Sequence, residues 1–169
     1  QSGRNSGAPA LAQARAIVNA AGPWVEKVLD EVPDVNIEAK IRLVKGSHII
    51  VPKLFEGQHA FLLQNPDGRV VFALPYERQF TLVGTTDVTY EGAPEQARIT
   101  EAEVLYLCEV VNRYFDRRTT PQDVKWTYAG VRPLLDDAQE DASKVTRDYR
   151  LELSTGDGQE ALLSVYGGN

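Results

Sequence analysis

The sequence contains very little of what metal sites and disulfide frameworks require. Among its 169 residues there are one cysteine, two histidines and no methionine. A single cysteine excludes an internal disulfide and a zinc site built from cysteines. Two histidines also argue against a site of several histidines, so we predict no metal site. The lone thiol, Cys108, fits a reducing compartment.

The chain also lacks an excess of positive charge and any long apolar run. Its 18 basic and 24 acidic residues give a net charge of −6. This balance argues against nucleic acid as a partner and against attachment to anionic lipid by bulk charge. No apolar run approaches the ~20 residues that span a bilayer, and the N-terminus does not have the pattern of a signal peptide. A length of about one domain and 43% hydrophobic residues indicate a globular chain with a real core.

Apolar segments bounded by turn residues predict a largely antiparallel arrangement of strands. The Asn-Pro-Asp-Gly sequence at 65–68 is a strong turn signal between two of them. A short strand, a tight turn at Gly22 and Pro23 and a short helix open the pattern. The predicted strands cover residues 14–21, 41–52, 60–63, 70–75, 79–84, 124–135, 145–153 and 161–166.

Residues 101–115 form the clearest predicted helix. Thr100 and Glu103 have the spacing of a capping box, and apolar residues recur behind them at helical spacing. Cys108 lies on that apolar face, so we interpret it as a buried structural thiol and not as a reactive one. One mostly antiparallel sheet with one long and one short helix makes the predicted fold class α+β.

His48 is the first candidate for chemistry, because it interrupts the apolar pattern of the strand at 41–52. A neutral imidazole can take or give a proton near neutral pH. Gly46, two residues earlier, would let a ligand or another backbone approach closely. The alternative is a hydrogen-bonded histidine at a sheet edge.

Two arginines are the other candidates. Arg132 lies in an apolar segment, where burial is costly unless the guanidinium meets an anion; its planar fork suits phosphate or carboxylate. The alternative is a buried ion pair with an acidic residue of the chain. Arg147 lies beside Asp148, so a local ion pair is the simpler interpretation there. If both arginines and His48 converged, they would form an anion site with a nearby base.

Six segments of the chain together form a recognisable pattern. They are VNAAGPW (18–24), IRLVKGSHIIVP (41–52), GTTDV (84–88), WTYAGVRPL (126–134), TRDY (146–149) and LSVYGG (163–168). In this order they resemble the FAD-dependent glycerol-3-phosphate dehydrogenases, aerobic, quinone-linked enzymes of the D-amino-acid-oxidase-like superfamily. Several motifs in the right order are more specific than any one of them, and the resemblance covers nearly the whole chain from about residue 14.

The resemblance implies that the chain is an internal fragment of a two-domain flavoenzyme. Residues 1–35 would form a flexible arm and the end of the FAD-binding domain, 36–160 the substrate-binding domain, and 161–169 a strand and Gly-Gly turn returning to the FAD-binding domain. The implied fold is a mostly antiparallel mixed sheet with flanking helices, as in the substrate-binding domain of D-amino-acid-oxidase-like flavoenzymes. The G-x-G-x-x-G fingerprint of dinucleotide binding is absent, so we expect the isolated chain to be inactive.

The resemblance also implies a reaction and its residues. The family oxidises sn-glycerol 3-phosphate to dihydroxyacetone phosphate by hydride transfer to FAD and passes the electrons to a quinone. His48 and Arg132 match catalytic positions, and both match substrate-binding positions together with Arg147. Asn169 stands where the family has a lysine that helps hold the phosphate, and a threonine is common at position 21. The implied cofactor contacts are Ala21, Gly22, Gly167 and Gly168.

The implied partners are glycerol 3-phosphate, a quinone and a membrane surface, with no nucleic acid, and a homodimer is possible. The parent protein would lie in the bacterial cytoplasm, peripherally on the inner face of the plasma membrane. Two other functions stay open at this point: a related flavin oxidase that uses oxygen, and a non-catalytic module for anion binding or protein interaction. A flavoenzyme needs a dinucleotide fingerprint upstream, whereas a non-catalytic module does not.

Overall fold

The computed structural model describes residues 11, 13–33, 39–136, 145–155 and 160–167. The first ten residues of the predicted arm lie outside these residues, as do Gly168 and Asn169. Within them the chain combines mostly antiparallel strands with two α-helices. The α+β fold class is therefore confirmed.

The helices and strands follow the predicted pattern, with three strands that begin two or more residues later. The strand expected from residue 14 begins at Ala16. The strand expected from residue 124 begins at Trp126, because Pro121–Asp123 forms a 3₁₀ turn. The strand expected from 145 begins at Tyr149, since Val145 packs into an apolar cluster instead of pairing. The elements are β1 (Ala16–Asn19), α1 (Val25–Leu29), β2 (Ile41–Pro52), β3 (Phe61–Gln64), β4 (Val70–Tyr76), β5 (Phe80–Gly84), β6 (Val88–Thr89), α2 (Glu101–Tyr114), β7 (Trp126–Leu135), β8 (Tyr149–Ser154) and β9 (Ala161–Gly167).

The described strands form two sheets, so the expectation of a single sheet is wrong. The smaller sheet has the order β1-β9-β8, with β1 parallel to β9 and β8 antiparallel to it. The larger sheet contains β2 to β7. Each sheet has its own apolar core, one against α1 and one against α2. Local patterns of alternation identify strands, but they do not report which strands pair.

The long strand β2 is the centre of the larger sheet. Its residues 48–52 pair with β5 and residues 44–45 pair with β6 along one edge. The opposite edge pairs with β7 over residues 41–50. Residues 85–87 lie between β5 and β6 and interrupt the pairing along this edge of β2. Because they are released from regular pairing, their side chains reach both faces of the sheet.

Helix α2 covers one face of this sheet and leaves the other free for a site. The predicted capping box of Thr100 and Glu103 is present. Cys108 is buried in the core between α2 and the sheet, where burial, together with the charge of Asp123, raises the pKa of its thiol. The interpretation of Cys108 as a buried structural thiol is confirmed. The buried members of this core are Ile49, Val51, Leu63, Val71, Ala73, Val83, Leu107, Cys108, Val110 and Val111.

A buried polar network ties α2 to the centre of the sheet. The Glu103 carboxylate lies 2.8 Å from Lys45 Nζ and accepts hydrogen bonds of 2.8 Å from the hydroxyls of Ser47 and Thr86. Thr86 Oγ1 also accepts a hydrogen bond from the backbone N–H of Ser47 at 3.0 Å. Burial alone would raise the pKa of Glu103, but the hydrogen bonds from Lys45, Thr100, Thr86 and Ser47 lower it from 4.5 to about 2. One carboxylate therefore fixes β2, α2 and the interrupted segment 85–87 together.

We expect Glu103→Gln to destabilise the protein by about 3–5 kcal/mol, because it leaves the buried Lys45 ammonium without its counter-ion. Urea unfolding followed by tryptophan fluorescence measures this. Glu101→Gln is the matched control, since Glu101 is exposed in the first turn of the same helix. It should cost less than about 1 kcal/mol. Equal effects of the two substitutions would contradict the role of the network.

The pKa of Glu103 also predicts a dependence of stability on pH. Its folded pKa of about 2 lies below its ordinary 4.5, so its contribution is complete above pH 4.5 and is lost as the pH falls towards 2. The free energy of unfolding of the natural sequence should fall over this range more steeply than that of Glu103→Gln. Parallel curves for the two proteins would refute the assignment.

Candidate functional site

His48 lies on the face of the sheet opposite α2, in the strand that is paired on both sides. Its imidazole stacks on Tyr128, its partner across β2 and β7, with ring centroids 4.6 Å apart and planes inclined by 7°. Burial, and then the charge of Arg132, lower the pKa of His48 below its ordinary 6.5. Nδ1 is buried and has no hydrogen-bond partner within the part of the chain that the structure describes. The side chain is therefore a neutral imidazole held by stacking.

Gly84 provides the room for this imidazole. It is the partner of His48 across β2 and β5. A Cβ at position 84 would lie 2.1 Å from Cδ2 of His48, far inside any real contact. The ring therefore occupies the space that a side chain at position 84 would need, and any such side chain would displace it.

Gly46 provides the same kind of room for Arg132. A Cβ at position 46 would lie 2.5 Å from both terminal nitrogens of the Arg132 guanidinium and from Thr85 Oγ1. Gly46 and His48 are successive positions on one face of β2, about 7 Å apart. The guanidinium is thus brought next to the imidazole, although Arg132 pairs with Val44 further along the strand.

Arg132 and Arg147 converge on one carboxylate. Oδ1 of Asp87 lies 3.1 Å from Nη1 of Arg132 and 3.2 Å from Nη2 of Arg147. Arg132 Nη2 also donates a hydrogen bond of 3.0 Å to Thr85 Oγ1. Burial lowers the pKa of Arg132, the charge of Asp87 opposes this, and the charge of Arg147 adds to it. Two guanidinium groups share one anion, so the cluster keeps one positive charge.

An open cavity of about 540 Å³ lies beside this cluster. Thr85, Asp87, Arg132 and Arg147 line it, and so does a third arginine, Arg69. Apolar side chains complete the lining, those of Leu62, Val70 and Phe72. A net positive, hydrogen-bond-donating lining with apolar parts suits a small organic anion such as a phosphate ester.

Two of the glycine positions expected to contact a cofactor can be described. Gly22 has a φ of +57° in the turn between β1 and α1, and a Cβ there would meet nothing within 4 Å, so a ligand can approach the turn. Asn19 shapes this turn by accepting a hydrogen bond from the N–H of Ala21 and donating one to the carbonyl of Val25. Gly167 has a φ of +68°, and a Cβ there would lie 2.5 Å from the carbonyl oxygen of Asp148. Packing alone therefore already requires glycine at position 167.

Three interpretations from the sequence can now be decided. The local pair of Arg147 with Asp148 is wrong, because Arg147 bonds to Asp87, 60 residues away. The sheet-edge interpretation of His48 is wrong, because β2 has partners on both edges. The alternative interpretation of Arg132, an ion pair with an acidic residue of the chain, is confirmed with Asp87, and the same guanidinium also lines the cavity.

Sequence reasoning missed the residues that assemble the site. Asp87 and Thr85 were noticed only as part of the GTTDV segment, and Glu103 only as a helix cap. The available signal was the polar Thr-Thr-Asp sequence directly after the apolar strand β5. Among the described residues, no cluster of metal-ligating side chains is present. No helix within the same residues has the length and apolar character to cross a bilayer.

The chain belongs to the FAD dependent oxidoreductase family, whose model matches residues 2–168. It is 50% identical over 165 residues to the glycerol-3-phosphate dehydrogenase of Pseudomonas aeruginosa, covering 98% of this chain and 32% of that protein. It is 49% identical over 156 residues to the D-erythritol 1-phosphate dehydrogenase of Brucella abortus, covering 92% of this chain and 31% of that protein. The chain thus spans about a third of the length of these relatives.

The fold also matches a solved structure. The glycerol-3-phosphate dehydrogenase from Bacillus halodurans, complexed with FAD, superposes with a TM-score of 0.71 and 32% sequence identity. The match covers 91% of this chain and 28% of that chain. The resemblance drawn from the six sequence segments is thereby confirmed.

Because the His48 ring occupies the space over Gly84, we expect alanine substitutions of two glycines on the same face to affect His48 differently. Gly84→Ala should force the His48 ring off Tyr128, because its Cβ would overlap the ring. Gly130→Ala is the control, since a Cβ there would meet nothing within 4 Å. NMR spectra of the histidine rings should show a changed His48 environment in Gly84→Ala only. Unchanged His48 resonances in Gly84→Ala would contradict the stacked geometry.

Proposed function

We propose that this chain is the substrate-binding part, with the end of the FAD-binding part, of an sn-glycerol-3-phosphate dehydrogenase. The observation that carries the proposal is the pair of arginines that line one open cavity, together with the neutral histidine whose pKa is lowered in part by the charge of Arg132. His48 itself does not line the cavity, so in this proposal the arginines bind a phosphate ester there and its hydroxyl extends towards the imidazole. The two named relatives and the solved structure support the same class of reaction on a polyol phosphate.

The arginines bind and orient the substrate in this proposal. Arg132 and Arg147 have guanidinium donors beyond those bound to Asp87 and Thr85, and these suit the oxygens of a phosphate or a hydroxyl. The apolar wall of Leu62 and Phe72 excludes water from the carbon chain of the substrate. The remaining positive charge of the cluster offsets part of the charge of the bound phosphate.

His48 removes the proton of the substrate hydroxyl in this proposal. Its lowered pKa leaves the imidazole neutral and able to accept a proton at neutral pH. Because Nδ1 is buried, we assign the acceptance to Nε2. Stacking on Tyr128 fixes the orientation of the ring, and a fixed base needs no reorganisation when the proton moves.

The described residues fit one side of an FAD site and not the whole of it. The open turn at Ala21 and Gly22 permits a flat ligand to approach the backbone, as does a face of the sheet cleared by glycine. FAD, when bound, supplies the hydride acceptor for the reaction. The dinucleotide fingerprint is absent from the sequence, so we propose that this chain alone does not turn over substrate. Gly167 and Gly168 stay predicted cofactor contacts.

We further propose that the complete enzyme passes its electrons to a quinone. It would then work at the inner face of the bacterial plasma membrane, as a peripheral protein of the cytoplasm. A homodimer is part of the same proposal. The acceptor is tested by comparing the rates at which a soluble quinone and oxygen reoxidise the reduced enzyme. An oxidase would be reoxidised by oxygen, with formation of peroxide, at a rate similar to that with the quinone.

The first test is anaerobic reduction of the complete enzyme. Adding sn-glycerol 3-phosphate should bleach the flavin absorbance rapidly, because the arginine pair places the substrate beside the base. D-Erythritol 1-phosphate is the matched alternative, since a relative of similar identity is named for it. Faster bleaching by erythritol 1-phosphate would move the proposal to the longer polyol. A flavin that stays oxidised with both would overturn it.

We expect His48→Ala to slow flavin reduction about 100-fold to 10,000-fold, which is the range for loss of a general base. The substrate Kd should change less than about tenfold, since the arginines remain. His59→Ala is the control, because His59 packs with Phe55 and Phe61 in a separate aromatic cluster. Stopped-flow absorbance measures both quantities. A loss confined to binding would make His48 a positioning group.

A further inference from the structure

Asp87 is the one anion of the described residues that contacts both arginines of the site. Its side chain is only 7% exposed. A single oxygen, Oδ1, accepts from Arg132 at 3.1 Å and from Arg147 at 3.2 Å. The two arginines come from different parts of the fold, since Arg132 is in β7 of the larger sheet and Arg147 lies two residues before β8 of the smaller sheet. Asp87 is therefore the joint between them.

The backbone that carries Asp87 is anchored independently of the arginines. The preceding residue, Thr86, is completely buried and donates its hydroxyl hydrogen to Glu103 at 2.8 Å. Its backbone N–H donates to the carbonyl of Ser47 at 3.3 Å. The segment that carries Asp87 is thus anchored to β2 and α2, and its carboxylate is presented to both arginines from a fixed backbone.

Arg147 depends on this anion more than Arg132 does. Arg132 is also held by Thr85 Oγ1 and by the close approach over Gly46. Arg147 is 40% exposed and lies in an irregular segment. Two like charges at this distance repel each other. Without the carboxylate, the donors of Arg147 would lose the contact that fixes their direction relative to Arg132.

We propose that Asp87 is a positioning residue, which joins Arg132 and Arg147 into one oriented anion-binding pair and lowers their combined charge from +2 to +1. The proposal rests on the proposed function for its kinetic consequences. Asp87 weakens the simple attraction for an anion while it fixes the direction of the donors. We expect the orientation of the guanidinium donors to affect the reaction step, and the net charge of the pair to affect anion binding.

The test is Asp87→Asn in the complete flavin-loaded enzyme. The amide keeps the size of the side chain but removes its charge. We expect kcat to fall at least about tenfold, as for lost orientation. The KM for glycerol 3-phosphate and the inhibition constant of inorganic phosphate should both fall at least about twofold, because the uncompensated cations attract anions more strongly. This phosphate effect should shrink in high salt.

The control is Glu56→Gln, which changes the total charge equally at a highly exposed residue that pairs with Lys53. We expect no change in kcat, KM or phosphate inhibition. A merely structural role of Asp87 would lower the melting temperature and leave the phosphate constant unchanged or raised. That result in Asp87→Asn would overturn the proposal, as would an unchanged kcat.

Asp87→Glu keeps the charge and moves the carboxylate by one methylene, and it serves if Asp87→Asn does not accumulate as holoenzyme. Here kcat should fall at least about fivefold while the phosphate constant stays within about twofold of the natural enzyme. An unchanged kcat would again overturn the proposal. If the natural enzyme is not reduced by glycerol 3-phosphate, the proposed function fails. Phosphate binding, followed through the flavin spectrum, still decides the role of Asp87.

Discussion

The buried carboxylate of Glu103 is the constraint on which the rest of the site depends. It neutralises the buried Lys45 ammonium and accepts hydrogen bonds from the hydroxyls of Ser47 and Thr86. Burial of two charges is costly unless every donor and acceptor is used, and here the same residue also caps helix α2. The network therefore lies on the α2 side of the sheet, but it determines the positions of the residues on the opposite face.

On the face of the sheet opposite α2, two glycines make room for the side chains of the site. Gly84 and Gly46 leave the space that the His48 ring and the Arg132 guanidinium occupy. Both groups are partly desolvated as a result, which lowers the pKa of each. A neutral base next to a cation is the combination needed to bind a phosphate ester and deprotonate its hydroxyl.

The cluster also connects the two sheets. Arg147 enters from the segment that leads into the smaller sheet, while Arg132 and Asp87 belong to the larger one. Their ion pairs join the two layers at the edge of the cavity. Membership in the FAD dependent oxidoreductase family, over residues 2–168, fits a site formed where layers meet.

The sequence alone determined the α+β class, the bounds of β2, the capping box of α2 and the family, because these depend on local spacing and ordered motifs. It also singled out His48, Arg132 and Arg147 as polar interruptions of apolar segments. Only the tertiary structure decided that the strands form two sheets and that Arg147 pairs with Asp87 instead of Asp148. Such pairings join residues 45 to 60 positions apart, and side-chain periodicity contains no information about contacts at that separation.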